Sequence, residues 1–147
     1  MSVYVALLRG VNVGGRGKLE MSRLKAVFEE LGCSDVRTYI NSGNVLFRDR
    51  RSASTLTRLA EQALGVRVAI RTLAEMRTLC DSIPSEWTND KEQKTDVAFR
   101  LDGKGDRAFN VPRSELQPGR GIVEMEGDVT VRNVNSVRKL TALMSEL

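Results

Sequence analysis

The chain has 147 residues, 41% of them hydrophobic and 29% charged, which fits one globular domain or two small halves packed together. It contains no histidine, and its two cysteines, Cys33 and Cys80, are far apart. This composition removes the usual general base near neutral pH, the Ser-His and Cys-His nucleophiles and a structural zinc site. The sequence shows no leader and no long apolar run, so we expect a cytoplasmic protein without a membrane span.

The net charge of +4 is unevenly distributed along the chain. Residues 1–71 hold 12 Lys and Arg against 6 Asp and Glu, whereas residues 72–147 hold 11 against 13. This asymmetry indicates either an anionic partner for the first half or two halves that face each other. Both interpretations remain open at this point.

The hydrophobic periodicity of residues 1–71 predicts the order β-α-β-β-α-β. The expected elements begin with a strand at 3–8, a helix from Met21 to Leu31 and two strands forming a hairpin that turns at Ser42-Gly43. A helix capped by Ser52 or Ser54 and ended by Gly65 follows. The last element is a half-buried strand at 66–70, in which Val66, Val68 and Ile70 alternate with Arg67 and Ala69. This order is typical of the split βαβ pattern of ferredoxin-like domains.

Residues 72–147 predict a weaker α-β-β-β-α order. A capping box at Thr72–Glu75 begins its first helix, and a strand follows at 95–101. Residues 106–119 contain two prolines and receive no element. A hairpin around Glu126-Gly127-Asp128 then precedes a final helix.

We therefore predict an α+β protein, with an N-terminal ferredoxin-like βαββαβ unit at 1–71 packed against a smaller C-terminal α+β half at 72–147. Every residue from Val3 to Leu8 is apolar, which is typical of a strand buried on both faces. The second half is then expected to cover the sheet face on which RNA-recognition motifs bind RNA. The covering of that face, and the absence of the K/R-G-F/Y-G/A-F aromatic run in the third strand, argue against nucleic acid as a partner.

The stretch LLRGVNVGGRGK places glycines and basic residues within ten positions: Arg9, Gly10, Gly14, Gly15, Arg16, Gly17 and Lys18. It is not a P-loop, because Arg16-Gly17 stand where Lys and Ser or Thr are needed. The Rossmann spacing also fails, because Glu20 replaces the third glycine. A strand that runs through glycines into a helix still suits an anion, through backbone N–H groups and the nearby cations. The alternative is a long turn whose glycines supply left-handed angles.

The final helix begins in a second basic, polar stretch, in which Arg132 precedes Asn133-Val134-Asn135-Ser136. Asn or Ser can cap this helix, and the arginine can hold a phosphate or carboxylate. Ordinary capping beside solvated cations is the alternative. Trp87, in a polar loop, is either a lid over the core or an interaction anchor.

ALLRGVNVGGRGK, TYINSGNVLF and VRNVNSVRKL resemble the signature stretches of a conserved bacterial domain-of-unknown-function family. Its members typically read ALLRGINVGG, TYIQSGNVVF and TRNWNTVTKL at these stretches. The resemblance implies a two-subdomain α+β arrangement with ferredoxin-like halves. The usual Trp of the last motif is Val134 here. The resemblance implies a shared site formed by Arg9, Gly10, Asn12, Gly14 and Gly15, by Ser42, Gly43 and Asn44, and by Arg132, Asn133 and Asn135.

Our leading hypothesis is binding of an anionic small molecule, such as a nucleotide or phosphoester, at the glycine-rich loop 9–18 with Asn44 and Arg132 nearby. In it, Arg9, Arg16 and Arg132 neutralise charge while Gly14 and Gly15 present N–H groups. The alternative is a non-catalytic interaction or self-association module near Trp87, with the oligomeric state open. We assign no catalytic residues, metal or cofactor, and an enzyme remains a third hypothesis.

Overall fold

The structure is a computed structural model that describes residues 1–10, 21–39, 43–103, 105–117 and 128–147. Its elements are β1 (Ser2–Leu8), α1 (Met21–Glu30), β2 (Ser34–Tyr39), β3 (Asn44–Asp49), α2 (Ala53–Leu64), β4 (Val68–Thr72), α3 (Leu73–Ser82), β5 (Gln93–Arg100), β6 (Arg107–Pro112), β7 (Val129–Asn133) and α4 (Val134–Met144). They form two antiparallel sheets and four α-helices, which confirms the α+β class. Within the described ranges, no helix is long and apolar enough to cross a membrane.

The first sheet has the strand order β2-β3-β1-β4. β1 and β2 both run antiparallel to β3, which lies between them, so β1-α1-β2 is a split βαβ unit. The predicted β-α-β-β-α-β order is confirmed. Of the predicted hairpin turn, Gly43 has a φ of 70° and Ser42 lies outside the described residues.

Strand β1 is buried on both faces, as its continuous apolar sequence predicts. Tyr4, Ala6 and Leu8 pack in one core with α1 and α2, whereas Val5 and Leu7 pack in another with α3, α4 and β5. The second half of the chain therefore covers one face of the first sheet. This second core contains residues from both predicted halves. The division of the chain into subdomains at 1–71 and 72–147 therefore stays a prediction.

The prediction of a half-buried strand at 66–70 was wrong in its bounds and its burial. Strand β4 spans Val68–Thr72, and Val68, Ala69 and Ile70 are all buried. Ala69, expected on an exposed face, packs in the second core. The alternation failed as a signal because α3 and α4 cover the face that an isolated βαββαβ unit leaves open.

The second sheet has the order β6-β5-β7. The described order is α3-β5-β6-β7-α4, but its middle strand is not the predicted one, whose residues before Glu126 lie outside the described ranges. Strand β6 lies in the stretch that received no element, and the proline that discouraged a strand is its last residue, Pro112. It is also an edge strand, where proline is tolerated. Of the predicted hairpin turn, only Asp128 is described.

The two sheets are joined by an ion pair between the buried Arg71 and the half-buried Asp106. Arg71 of β4 donates from Nε and Nη2 to the two carboxylate oxygens of Asp106, at 2.7 and 2.9 Å. Its Nη2 also donates to the carbonyl oxygen of Arg100, at 2.6 Å. This bidentate contact fixes the edge of the first sheet against the end of β5.

Among the described residues, side chains rather than another strand close the outer edge of β4. Glu61 accepts from the backbone N–H of Val68 at 3.0 Å, and Glu75 accepts from that of Thr72 at 2.9 Å. Arg71 donates to the carbonyl oxygen of Ile70 at 3.0 Å. These contacts occupy polar groups to which a foreign strand would otherwise pair.

Candidate functional site

The site begins with a buried hydrogen bond between two residues of the motif stretches. Arg132, in β7, is only 7% exposed, and its Nε donates to Oδ1 of Asn44 at 2.6 Å. Asn44, the first residue of β3, is 0% exposed and donates from Nδ2 to the carbonyl oxygen of Tyr39 at 3.1 Å. Both side chains are therefore polar groups held inside the protein.

Arg132 also connects the ends of β1 and β3. Its Nη2 donates to the carbonyl oxygens of Leu8, at 2.9 Å, and Gly43, at 3.4 Å. Its Nη1 donates to Oγ1 of Thr130 at 2.8 Å and to the carbonyl oxygen of Val131 at 2.9 Å. One guanidinium thus brings together parts of all three motif stretches.

Burial lowers the pKa of Arg132 to about 10, because desolvation disfavours the charged form. The side chain still carries its positive charge at neutral pH. Since the contacts above engage Nε, Nη1 and Nη2, its main visible effect is to fix the backbone around it.

Two arginines at the surface lie beside the start of the glycine-rich loop. Arg9 directly follows β1, and its backbone N–H donates to the carbonyl oxygen of Arg67 at 2.9 Å. Nη1 of Arg9 lies 2.7 Å from Oδ1 of Asp128, and Nη1 of Arg67 lies 3.1 Å from Oδ2 of the same carboxylate. We call Arg9 and Arg67 the surface arginine pair.

The second arginine of this pair is held from its other side. Nε of Arg67 donates to Oε2 of Glu61 at 3.0 Å. That hydrogen bond, together with the charge of Asp128, raises the pKa of Arg67 above its ordinary value. Its guanidinium therefore remains a fixed cation at the surface.

Sequence reasoning missed Arg67 and Asp128. Arg67 looked like the solvated residue of an alternating strand, and Asp128 looked like part of a turn. Their contact spans 61 positions, so no local pattern links them. The sequence held only an indirect signal for them, because the residues that lie beside Arg9 are decided by how β4 pairs with β1.

The remaining predicted site residues either lie outside the contacts of Arg132 or lie outside the described ranges. Asn133 caps α4, since its Oδ1 accepts from the N–H of Ser136 at 2.9 Å. Asn135 is exposed and donates to the carbonyl oxygen of Asn89 at 3.1 Å. Gly10 has a φ of 66°, a left-handed value that favours glycine. The residues outside the described ranges are Asn12, Gly14, Gly15, Arg16, Lys18 and Ser42.

A groove at the edge of β4 does not coincide with these residues. It has a volume of about 690 Å³ and runs along the closed edge of β4, between α2 and the turn after β5. Its lining includes Arg58, Glu61 and Arg71, of which Arg71 is already paired with Asp106. Among the described residues, no cluster of His, Cys, Asp and Glu could hold a metal ion.

A sequence model of the family described as protein of unknown function (DUF1697) matches residues 1–119. The chain belongs to this family. No curated protein matches this DUF1697 chain.

Among solved structures, this DUF1697 protein is similar to the conserved bacterial protein SP0830 of Streptococcus pneumoniae. The two are 22% identical with a TM-score of 0.75, over 97% of this chain and 98% of the other. At that identity the likeness shows the fold alone. The family predicted from the motifs is confirmed.

Proposed function

We propose that this DUF1697 protein binds an anionic small molecule, such as a nucleotide or phosphoester, where the glycine-rich loop 9–18 leaves β1. The observation that carries the proposal is the hydrogen bonding of Arg132. It ties Leu8, which precedes the loop, to Gly43 and Asn44, although these residues are far apart in the sequence. A buried polar group that joins the ends of separate strands is typical of a preorganised site.

In this proposal Arg132 acts as a positioning residue. Its donors hold carbonyl and amide oxygens of the protein, so it fixes the end of β1 and the start of β3. Arg9 and Arg67, at the surface beside Leu8, supply the charge that faces a ligand. Guanidinium groups suit phosphate because they offer paired N–H donors in one plane.

The alternative of an interaction module rests on Trp87. Trp87 is half-buried and packs against the second core, beside residues of α3 and α4. A ring used in this way covers the core, so it gives no specific support to a docking surface there.

Thermal unfolding tests the proposal directly. The protein is heated with nucleotides, phosphosugars, polyphosphate or short RNA in turn, because a ligand that binds the native state raises the midpoint. At a hundredfold excess over its Kd, such a ligand adds about 2.7 kcal/mol of stability, or roughly 5–10 °C. We expect a shift with at least one phosphorylated small molecule.

The matched variants are Arg9→Ala and Arg50→Ala. Arg50 is exposed and follows β3, whose last residue pairs with Ser2 at the opposite end of β1. We expect Arg9→Ala to reduce the shift and Arg50→Ala to leave it unchanged. No shift with any compound, or equal loss in both variants, would contradict the proposal.

A further inference from the structure

We infer that the carboxylate of Asp128 occupies the anion position between Arg9 and Arg67, and that a phosphate group binds there by displacing it. The inference rests on the proposed function and specifies the part of the ligand that is recognised. It assigns a dianionic phosphate, rather than a carboxylate, to the surface arginine pair.

The contact geometry is that of one anion held by two cations. Oδ1 of Asp128 accepts from the guanidinium of Arg9 at 2.7 Å, and Oδ2 accepts from that of Arg67 at 3.1 Å. Two oxygens of a phosphate group have nearly the same spacing as those of a carboxylate. A phosphate can therefore take the same two N–H groups without moving the arginines.

The backbone of Arg9 and the guanidinium of Arg67 are held by contacts other than Asp128. The backbone N–H of Arg9 donates to the carbonyl oxygen of Arg67, and Nε of Arg67 donates to Glu61. Asp128 is separately anchored, because its carbonyl oxygen accepts from the N–H of Leu101 at 3.0 Å. Rotation of the Asp128 side chain can open the position while these backbone contacts remain.

Solvent makes this exchange easy. The side chains of Arg9, Arg67 and Asp128 are 46%, 50% and 46% exposed, and exposed ion pairs contribute little to stability. A ligand carboxylate would replace one monoanion with another and gain nothing from the exchange. A phosphate with two negative charges gains additional attraction from both arginines. The displaced aspartate therefore selects for phosphate.

Isothermal titration calorimetry at constant ionic strength tests the inference, with pyrophosphate as the probe and succinate as the carboxylate comparison. The proteins are the wild type, Asp128→Asn, Arg9→Ala, Asp128→Asn with Arg9→Ala, and Asp81→Asn. Asp81 is exposed on α3, so Asp81→Asn makes the same change in net charge away from the arginine pair. Each variant is first checked for an unchanged thermal midpoint.

We expect Asp128→Asn to bind pyrophosphate about fivefold more tightly than the wild type, because the two exposed ion pairs that Asp128 makes release only a little free energy when they are lost. Asp81→Asn should match the wild type, and adding Arg9→Ala should abolish the gain. Equal or weaker binding by Asp128→Asn, while the wild type binds and Arg9→Ala does not, overturns the inference and leaves the proposed function intact. No saturable binding by any of these proteins, with no shift across the ligand panel, overturns both.

Discussion

Nε of Arg132 lies 2.6 Å from Oδ1 of Asn44, and the two residues are separated by 88 positions in the chain. The contact joins β7 of the second sheet to the start of β3 in the first. Because both side chains are buried, neither can exchange its partner for water without opening the structure. This hydrogen bond therefore contributes to stability as well as to the shape of the candidate site.

Replacement of Asn44 by alanine should destabilise the protein by about 2 kcal/mol, because it leaves a buried charged donor without this acceptor. Urea unfolding measures the change. Asn135→Ala is the control, since Asn135 is exposed and should change stability by less than about 0.5 kcal/mol. Equal midpoints for the two variants would show that the buried contact contributes nothing specific.

Acid should weaken the protein through Asp49. Hydrogen bonds from Arg51 lower the pKa of this carboxyl to about 2, below its unfolded value of about 4. The folded state then binds fewer protons, so the stabilisation is complete above pH 4 and is lost as the pH falls toward 2. Because the Arg51 side chain is 36% exposed, we expect a loss of only about 1 kcal/mol.

The measurement compares urea unfolding of the wild type and Asp49→Asn at pH 5 and pH 2.5. The difference in their unfolding free energies should shrink by that amount at the lower pH, because the variant has no carboxyl to protonate. A difference that stays constant over this interval would exclude the Asp49–Arg51 contact as an acid-sensitive element.

Cys33 should be the less reactive thiol. Burial, followed by the charge of Asp49, raises the pKa of Cys33 to about 12. At pH 8 only about one molecule in ten thousand then carries the reactive thiolate. Iodoacetamide should modify the half-buried Cys80 first, and Cys33 should react readily only in urea. Mass spectrometry of Cys33→Ser and Cys80→Ser assigns the sites, and rapid native labelling of Cys33 would refute this order.

The capping box at the start of α3 supports a matched pair of threonine variants. Oγ1 of Thr72 accepts from the N–H of Glu75 at 3.1 Å, so Thr72→Ala should cost about 1 kcal/mol. Thr78 is exposed in the same helix, where alanine is the better helix former, so Thr78→Ala should stabilise slightly. Chemical denaturation gives both values, and changes of the same sign would argue against capping as the cause.

Local patterns were sufficient for most elements of the fold. The apolar run at 3–8 predicted a strand buried on both faces, and Ser52, Gly65 and the Thr72–Glu75 box predicted helix ends that the structure confirms. Errors arose where another part of the chain decides the outcome. Ala69 is buried by α3 and α4, and β6 forms because β5 lies beside it. Neither neighbour can be identified from the residues nearby.

The candidate site could be predicted only in part, because motifs identify residues but not the contacts that packing creates. Arg132 and Asn44 were singled out from the motifs, and they are in contact. Their hydrogen bonds to each other and to Leu8 depend on the packing of the two sheets, which no local spacing encodes. Arg67 and Asp128 carried no motif, so only the pairing of β4 with β1 places them beside Arg9.

The position of α4 has a consequence for how the chain is made. Residues 134–144 complete the core that covers Val5, Leu7, Leu46 and Ala69 of the first sheet. A ribosome produces those four residues long before it produces the helix. During synthesis the nascent chain therefore carries an uncovered apolar sheet face, and chaperones that recognise such surfaces should bind it until α4 emerges.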